Sequence, residues 1–136
     1  MIVAGICTAG LLASQRGENL PTHAYRIALF TEAADLSPKT RAYSKAGESS
    51  GKGYMPGGIA LEGLRFLETV GERVAMAWAD ARWPLSSVVA RGALIYNGTT
   101  GTALRVIDFG ASLRSEDADF LVELPPEGAL VLTVER

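Results

Sequence analysis

The sequence predicts a mainly β protein: an antiparallel, jelly-roll-like β-sandwich with a short N-terminal helix and one long loop or arm. Two observations support this fold class. Short apolar runs recur along the second half of the 136-residue chain, and turn-forming residues separate them, which is typical of sandwiches and barrels. The length is that of one domain, so residues 1–136 are predicted to form a single unit.

The N-terminal segment predicts a short helix within residues 2–16. Ile2, Ile6, Ala9 and Ala13 fall on one helical face, although two intervening glycines weaken the helix. Residues 1–14 are apolar enough for a signal peptide, but no Lys or Arg precedes them and the run is too short to cross a bilayer. We therefore expect this segment to pack on the domain.

A turn at 17–22 precedes the first predicted core strand, Tyr25–Phe30, whose apolar and aromatic side chains favour β structure. Residues 31–58 then contain two prolines and five glycines. This composition predicts a long irregular loop or arm, at about 31–58, that is flexible and carries contacts to other molecules.

Six further strands are predicted after this loop, at 59–67, 73–79, 88–96, 103–109, 120–124 and 130–134. Asn97 and Gly98 favour a tight turn, so strands 88–96 and 103–109 are expected to pair. Arg91 and Asp108 would then face each other across this hairpin as a structural ion pair. The predicted core contains Trp78, Leu94, Ile107 and Phe109.

Composition excludes several classes of partner. The formal net charge is −2, with 13 basic and 15 acidic residues interleaved, so no basic surface for nucleic acid is expected. No segment reaches membrane length, so no membrane association is expected either. The single cysteine, Cys7, cannot form an intrachain disulfide and is predicted to be a buried thiol.

Two segments resemble sites for small ligands but lack essential parts. Residues 47–53 contain closely spaced glycines and Lys52, as phosphate-binding loops do. Three residues instead of four separate the first glycines, and Gly53 replaces the magnesium-binding Ser or Thr, so we interpret the segment as a loop. His23 is the only histidine, which leaves too few ligands for a zinc site with Cys7. No cofactor or metal is expected.

The acidic residues also carry no clear catalytic pattern. Their spacing matches neither a calcium loop nor a glycosidase pair, so those in the segment 116–119 are interpreted as a solvated turn. Asn97-Gly98-Thr99 fits the N-glycosylation pattern and is interpreted as a turn. Trp78 and Trp83 could form a platform for a sugar, although two tryptophans this close are more often core or interface anchors.

Five short segments form an ordered series along the chain: ICT at 6–8, YRIALFT at 25–31, GKGYMPGG at 51–58, ARGALIYN at 90–97 and DFG at 108–110. In order and approximate spacing this series resembles a family of small virion proteins of tailed bacteriophages, and the resemblance covers most of the chain. One departure is Met55-Pro56, where members of the family usually carry Thr-Ala. A proline restricts the residue before it and stiffens the loop, which changes its contact geometry.

The resemblance implies a non-enzymatic structural protein that is made in the bacterial cytoplasm and incorporated into the virion. The leading hypothesis is a capsid decoration or cement protein, bound to the major capsid protein or other virion subunits and self-associating as a homo-oligomer. The alternative is a tail, baseplate or fibre component that binds a carbohydrate receptor, and a small hydrolase is a third. The residues expected to make intersubunit contacts are Tyr43, Lys52, Tyr54, Met55 and Trp83.

Overall fold

The structure, a computed structural model, describes residues 1–69, 73–124 and 130–133. It is mainly β, with antiparallel strand ladders and one short helix, which confirms the predicted fold class. In chain order the elements are β1 (Gly5–Ile6), α1 (Thr8–Gln15), β2 (Tyr25–Phe30), β3 (Ile59–Ala60), β4 (Arg65–Thr69), β5 (Arg73–Ala77), β6 (Ala81–Ser86), β7 (Val89–Asn97), β8 (Ala103–Arg114), β9 (Ala118–Val122) and β10 (Leu130–Thr133).

The described strands form three sheets. The largest has the order β1-β8-β7-β2-β3, and it is accompanied by a three-stranded sheet, β10-β5-β4, and a two-stranded ribbon, β6-β9. The smaller sheets pack against one face of the largest sheet through a shared apolar cluster, as in a sandwich. A jelly-roll connection between these sheets stays a prediction.

The hairpin of β7 and β8 is the pairing predicted from the sequence. Leu94 lies opposite Val106, and Ile95 lies opposite Arg105. The connection is a loop in which Gly101 N–H donates to Asn97 O at 2.7 Å. The second strand is longer than predicted, because it continues to Arg114 after a wide bulge in which residues 109–112 have no counterparts on β7.

The predicted strand 59–67 is wrong as one element and forms two. Residues Ile59–Ala60 pair with β2, whereas Arg65–Thr69 pair with β5 in another sheet. Gly63 lies between them with a φ of 70°, a conformation that suits glycine and turns the chain. The predicted helix at 2–16 is shorter as well, because Gly5–Ile6 pair with β8 before the helix begins.

The strand β6 was not predicted. Its sequence contains a proline and the exposed Arg82, yet Trp83 lies opposite Phe120 of β9 and both side chains are buried. Pro84 is tolerated because the ladder is interrupted between Trp83 and Ser86. The strand predicted at 120–124 begins earlier, at Ala118, and ends at Val122. Val134, the last residue of the strand predicted at 130–134, lies outside the described residues.

Both faces of the central strands β2 and β7 are covered. One face packs, with Ile27 and Ile95, against Trp83 of β6 and Trp78, the residue that follows β5. The other face carries a second cluster that includes Phe30, Leu94, Cys7 and Leu36, contributed in part by the N-terminus and the loop. Of the predicted core, Trp78 and Leu94 are buried, whereas Ile107 and Phe109 are half-buried at its border.

Candidate functional site

The segment 31–58 lies along the largest sheet. Thr31 N–H donates to Gly47 O at 2.8 Å, and Ser49 N–H donates to Leu29 O at 2.9 Å. Farther along, Lys52 forms a bridge with Ser87, at the turn between β6 and β7. The loop predicted to be a contact arm is therefore joined to the sheet by backbone hydrogen bonds at several points.

Glu48 is the centre of a polar network that fixes this loop. Its carboxylate accepts hydrogen bonds from the hydroxyls of Tyr43 and Tyr54 and from Gly57 N–H. Tyr54 is buried, and burial together with the bond to Glu48 raises the pKa of its hydroxyl far above the ordinary value. One carboxylate thus joins three distant points of the loop.

The end of the loop is fixed by two side chains of the central strands. Tyr96 Oη donates to Gly57 O at 2.6 Å, and Arg26 Nη2 donates to Gly58 O at 2.8 Å. Gly58 has a φ of 77°, and a Cβ atom built there would lie 1.8 Å from Ile27 O. Only glycine allows this close approach of loop to strand.

The five predicted contact residues divide into three groups by exposure: two are exposed, one is half-buried and two are buried. Met55 is 75% exposed and Lys52 is exposed, so both are accessible to a partner. Tyr43 is half-buried and stacks on Tyr96, with ring centroids 4.6 Å apart. Tyr54 and Trp83 are buried in the apolar cluster, where their rings stack on each other, so neither ring is open to another subunit.

The tryptophan pair does not form the sugar platform considered above. Trp78 and Trp83 are 2% and 1% exposed, so neither ring face is open to a ligand. Trp83 packs edge to face on Phe120, and Trp78 packs on Tyr25. The indole N–H groups of both lack hydrogen-bond partners among the residues that the structure describes.

Arg91 and Asp108 form the ion pair expected across the hairpin, at 2.9 Å between Nε and Oδ1. The same carboxylate oxygen accepts a hydrogen bond from Gly110 N–H, also at 2.9 Å. These two bonds hold the pKa of Asp108 below its ordinary value, with the bond from Arg91 as the larger cause. Glu32, from the loop, lies 3.5 Å from the same guanidinium.

Asn97 forms a network that sequence reasoning did not find. Its Oδ1 accepts from Thr99 N–H and Thr100 N–H, which orients the amide, and its Nδ2 donates to Asn19 Oδ1 at 3.1 Å. The same Nδ2 lies 2.8 Å from His23 Nδ1. Since Nδ2 is a donor, His23 Nδ1 is the acceptor and the ring proton is on Nε2. The Asn-Gly turn signal pointed to Asn97, but no local pattern pointed to its partners.

The other candidates for chemistry are engaged in structural contacts or buried. Lys52 Nζ bonds to Asp117 Oδ1 at 2.8 Å, and Asp119 Oδ2 bonds to Arg82. Asp80 accepts from Leu124 N–H. Cys7 is fully buried, and burial raises the pKa of its thiol to about 11. Within the described residues, no three His, Cys, Asp or Glu side chains are grouped closely enough to hold a metal ion.

The described surface has open clefts. One, of about 370 Å³, lies where Thr31 and Ser50 approach Ser87 and Ser115. Another, of about 380 Å³, lies between the end of β8 and strand β9. In the described parts of the chain, no helix is long and apolar enough to span a membrane. No family model, curated protein or solved structure matches the sequence.

Proposed function

We propose that this chain is a non-enzymatic structural protein of a tailed-bacteriophage virion, and specifically a decoration or cement protein of the head. It would bind the major capsid protein in many copies and stabilise the shell through intersubunit contacts. A tail, baseplate or fibre position is the alternative, and the experiment below separates the two.

One observation carries the proposal. The segments that resemble the virion family lie together in the fold, and several of their polar groups form hydrogen bonds or ion pairs that join one segment to another. The loop GKGYMPGG at 51–58 packs on YRIALFT at 25–31 through Arg26 and Gly58, and on ARGALIYN at 90–97 through Tyr96. The DFG segment is bonded to the same strand through Asp108 and Arg91. The resemblance thus falls on residues that hold a framework together, as expected for a protein that acts by its shape.

The exposed side chains on this framework supply the contact hypothesis. Lys52 and Met55 are exposed on the loop. The buried Tyr54 and its hydrogen bond to Glu48 hold the loop against the sheet. A fixed loop loses little conformational entropy on binding, and repeated copies let modest interfaces act together. Such an arrangement suits a protein that bridges neighbouring shell subunits.

The test uses purified particles of the phage that encodes this chain. We expect quantitative mass spectrometry to give hundreds of copies per particle, and antibody labelling to mark the head. A few copies at one end would support the tail alternative, and absence from mature particles would overturn both.

Point variants locate the contact. We expect Lys52→Ala combined with Met55→Ser to reduce occupancy on heads, because both side chains are exposed. Lys39→Ala, at another exposed lysine of the same loop, is the matched control and should incorporate normally. Equal incorporation of the double variant and the control would reject Lys52 and Met55 as contacts.

A further inference from the structure

The hairpin between β7 and β8 contains the one Asn-Gly pair of the chain, Asn97-Gly98. In a flexible chain, the backbone nitrogen that follows an asparagine attacks the side-chain amide carbon and forms a cyclic imide. Glycine favours this reaction, because it has no side chain to hinder the approach of its nitrogen. The other asparagine, Asn19, is followed by Leu20, whose branched side chain hinders the approach.

This reaction needs only the chain itself and water. A bond forms between Gly98 N and Asn97 Cγ, and the bond from Cγ to Nδ2 breaks. The proton from Gly98 N passes through water to the leaving nitrogen, which departs as ammonia. Water then opens the imide at either carbonyl and leaves aspartate or isoaspartate at position 97. The Gly98 N–H and both atoms of the Asn97 amide must therefore be free to react.

In the fold, the attacking and attacked groups are both engaged. Gly98 N–H donates to Ala24 O at 2.6 Å, so its nitrogen keeps its proton. Asn97 Oδ1 accepts from Thr99 N–H at 2.9 Å and from Thr100 N–H at 3.3 Å. The Asn97 side chain is fully buried, which keeps water and base away from the amide carbon.

The leaving nitrogen is engaged as well. Asn97 Nδ2 donates to Asn19 Oδ1 at 3.1 Å and to His23 Nδ1 at 2.8 Å. These acceptors and Ala24 O all belong to the segment 19–24, which precedes β2. The hairpin loop, residues 97–101, is thus held against this segment by the same groups that would react.

The fold also requires this reactive pair. A Cβ atom built at Gly98 would lie 2.8 Å from Ala24 O and 2.9 Å from Arg26 Cδ, so a larger residue would push the loop away. Aspartate at position 97 would have no amide hydrogens for Asn19 Oδ1 or His23 Nδ1. The contacts that require asparagine and glycine here are therefore the contacts that protect them.

We propose that Asn97-Gly98 is a self-modification site, closed while the hairpin loop is docked on the segment 19–24 and reactive when the loop opens. Residues 98–100 are exposed, and exposed loops open locally at a smaller free energy than the whole fold. The product lacks the amide donor, so a converted loop does not regain its bonds. This proposal goes beyond the virion role and does not depend on it.

The first test compares the folded chain with the same chain unfolded in guanidinium chloride, in one mildly alkaline buffer. Peptide mapping by mass spectrometry measures aspartate and isoaspartate at position 97. We expect conversion to be at least about tenfold slower in the folded chain. Asn19 is the internal reference and should stay unconverted in both samples. Equal rates at Asn97, or conversion of Asn19 as fast as that of Asn97 in the unfolded chain, overturn the proposal.

The second test weakens the docking without changing the reacting groups. Thr99 Oγ1 accepts from Ala24 N–H at 3.0 Å, so Thr99→Ala removes one bond between loop and segment. We expect conversion in the folded variant to be about fivefold faster, relative to the same variant unfolded. Thr100→Ala is the matched control, because Thr100 Oγ1 bonds only within the loop, to Thr102. Equal rates in the two variants overturn gating by the segment 19–24.

A third measurement distinguishes loop opening from global unfolding, and it needs no variant. The wild-type chain is incubated at guanidinium concentrations below its unfolding transition. Local opening exposes little surface, so we expect the conversion rate at Asn97 to change little over this range. A rate that rises in proportion to the globally unfolded fraction overturns the proposal, even if Thr99→Ala accelerates conversion.

Discussion

At the scale of single residues, Asn97 joins parts of the chain that are far apart in sequence. Its amide connects the hairpin loop at Thr99 to Asn19 and His23, which precede β2. The side chain is fully buried, so each polar atom needs an internal partner. Gly98 N–H adds a bond to Ala24 O at 2.6 Å. A residue that is interpreted from sequence as part of a simple turn is therefore also a tertiary anchor.

We expect Asn97→Asp to lower the free energy of unfolding by about 2 kcal/mol, because it replaces a buried donor by an acceptor. The bonds from Thr99 and Thr100 can persist, whereas Asn19 Oδ1 loses its bond from the Asn97 amide and His23 Nδ1 keeps only the bond from Leu20 N–H. Urea denaturation at neutral pH measures the change.

The control for this variant is Gln15→Glu, the same amide-to-acid change at an exposed position of α1. It should stay within about 0.5 kcal/mol of the wild-type chain. If the two variants were equally stable, the Asn97 amide would not anchor the loop.

At the scale of elements, strands with local sequence signals were predicted, whereas elements that depend on partners distant in the sequence were missed. β2 and the β7-β8 hairpin were predicted because their apolar runs and turn are local signals. β6 was missed because its bulge allows a proline in a paired strand. The division at Gly63 was missed because the two halves of one apolar run pair with different sheets.

The candidate site was harder to predict for the same reason. Lys52 and Met55 are exposed in a polar loop, as the sequence suggested, but Tyr54 lies in that loop and is buried. Its burial depends on Glu48 and Leu29, whose approach is set by the tertiary fold. Alternation of apolar and polar residues indicates which side chains of a strand are buried. It gives no such information for an aromatic residue in a loop.

The docking of the loop on β2 depends on one glycine. We expect Gly58→Ala to lower the free energy of unfolding by about 3 kcal/mol or more, because the new Cβ would collide with Ile27 O in addition to straining φ. Thermal or chemical denaturation measures the loss.

Gly101→Ala separates these two effects. Gly101 has a φ of 82°, but a Cβ built there has no heavy atom within 4 Å. This variant should lose only the backbone contribution, about 1 kcal/mol. Equal losses in the two variants would show that loop docking on β2 does not require the close approach at Gly58.

At the scale of the whole molecule, the two apolar clusters share the central strands. Ile27 and Ile95 belong to the cluster that contains the tryptophans, whereas Ala28 and Leu94 belong to the cluster that contains Cys7. Because β2 and β7 contribute to both clusters, the loss of either strand would disrupt both clusters. The apolar runs 27–30 and 93–96 are continuous, as expected for strands that are buried on both faces. The second face is covered here by the N-terminus and the loop.

We therefore expect the two clusters to unfold together. Tryptophan fluorescence reports on one cluster through Trp78 and Trp83, and the reaction of Cys7 with a thiol reagent reports on the other. Burial raises the pKa of this thiol to about 11, so it is protonated and protected in the folded chain at neutral pH. Both probes should give one denaturant midpoint.

A Cys7 that reacted at lower denaturant than the fluorescence change would contradict this expectation. It would mean that the N-terminus and loop detach while the sandwich remains folded. The unfolded chain at the same pH is the control, since its Cys7 should react at once.

The bulge at residues 109–112 has a consequence for how copies of this chain behave when crowded. β1 pairs only with Arg105 and Val106, so the outer side of β8 beyond them has no ladder partner among the described strands. Gly110, with a φ of 82°, bends the backbone there, and Asp108 already occupies its N–H. A bent strand edge whose N–H is already hydrogen-bonded is a poor template for edge-to-edge pairing with another chain. Copies at high concentration can therefore contact one another through side chains without joining into a continuous β-sheet.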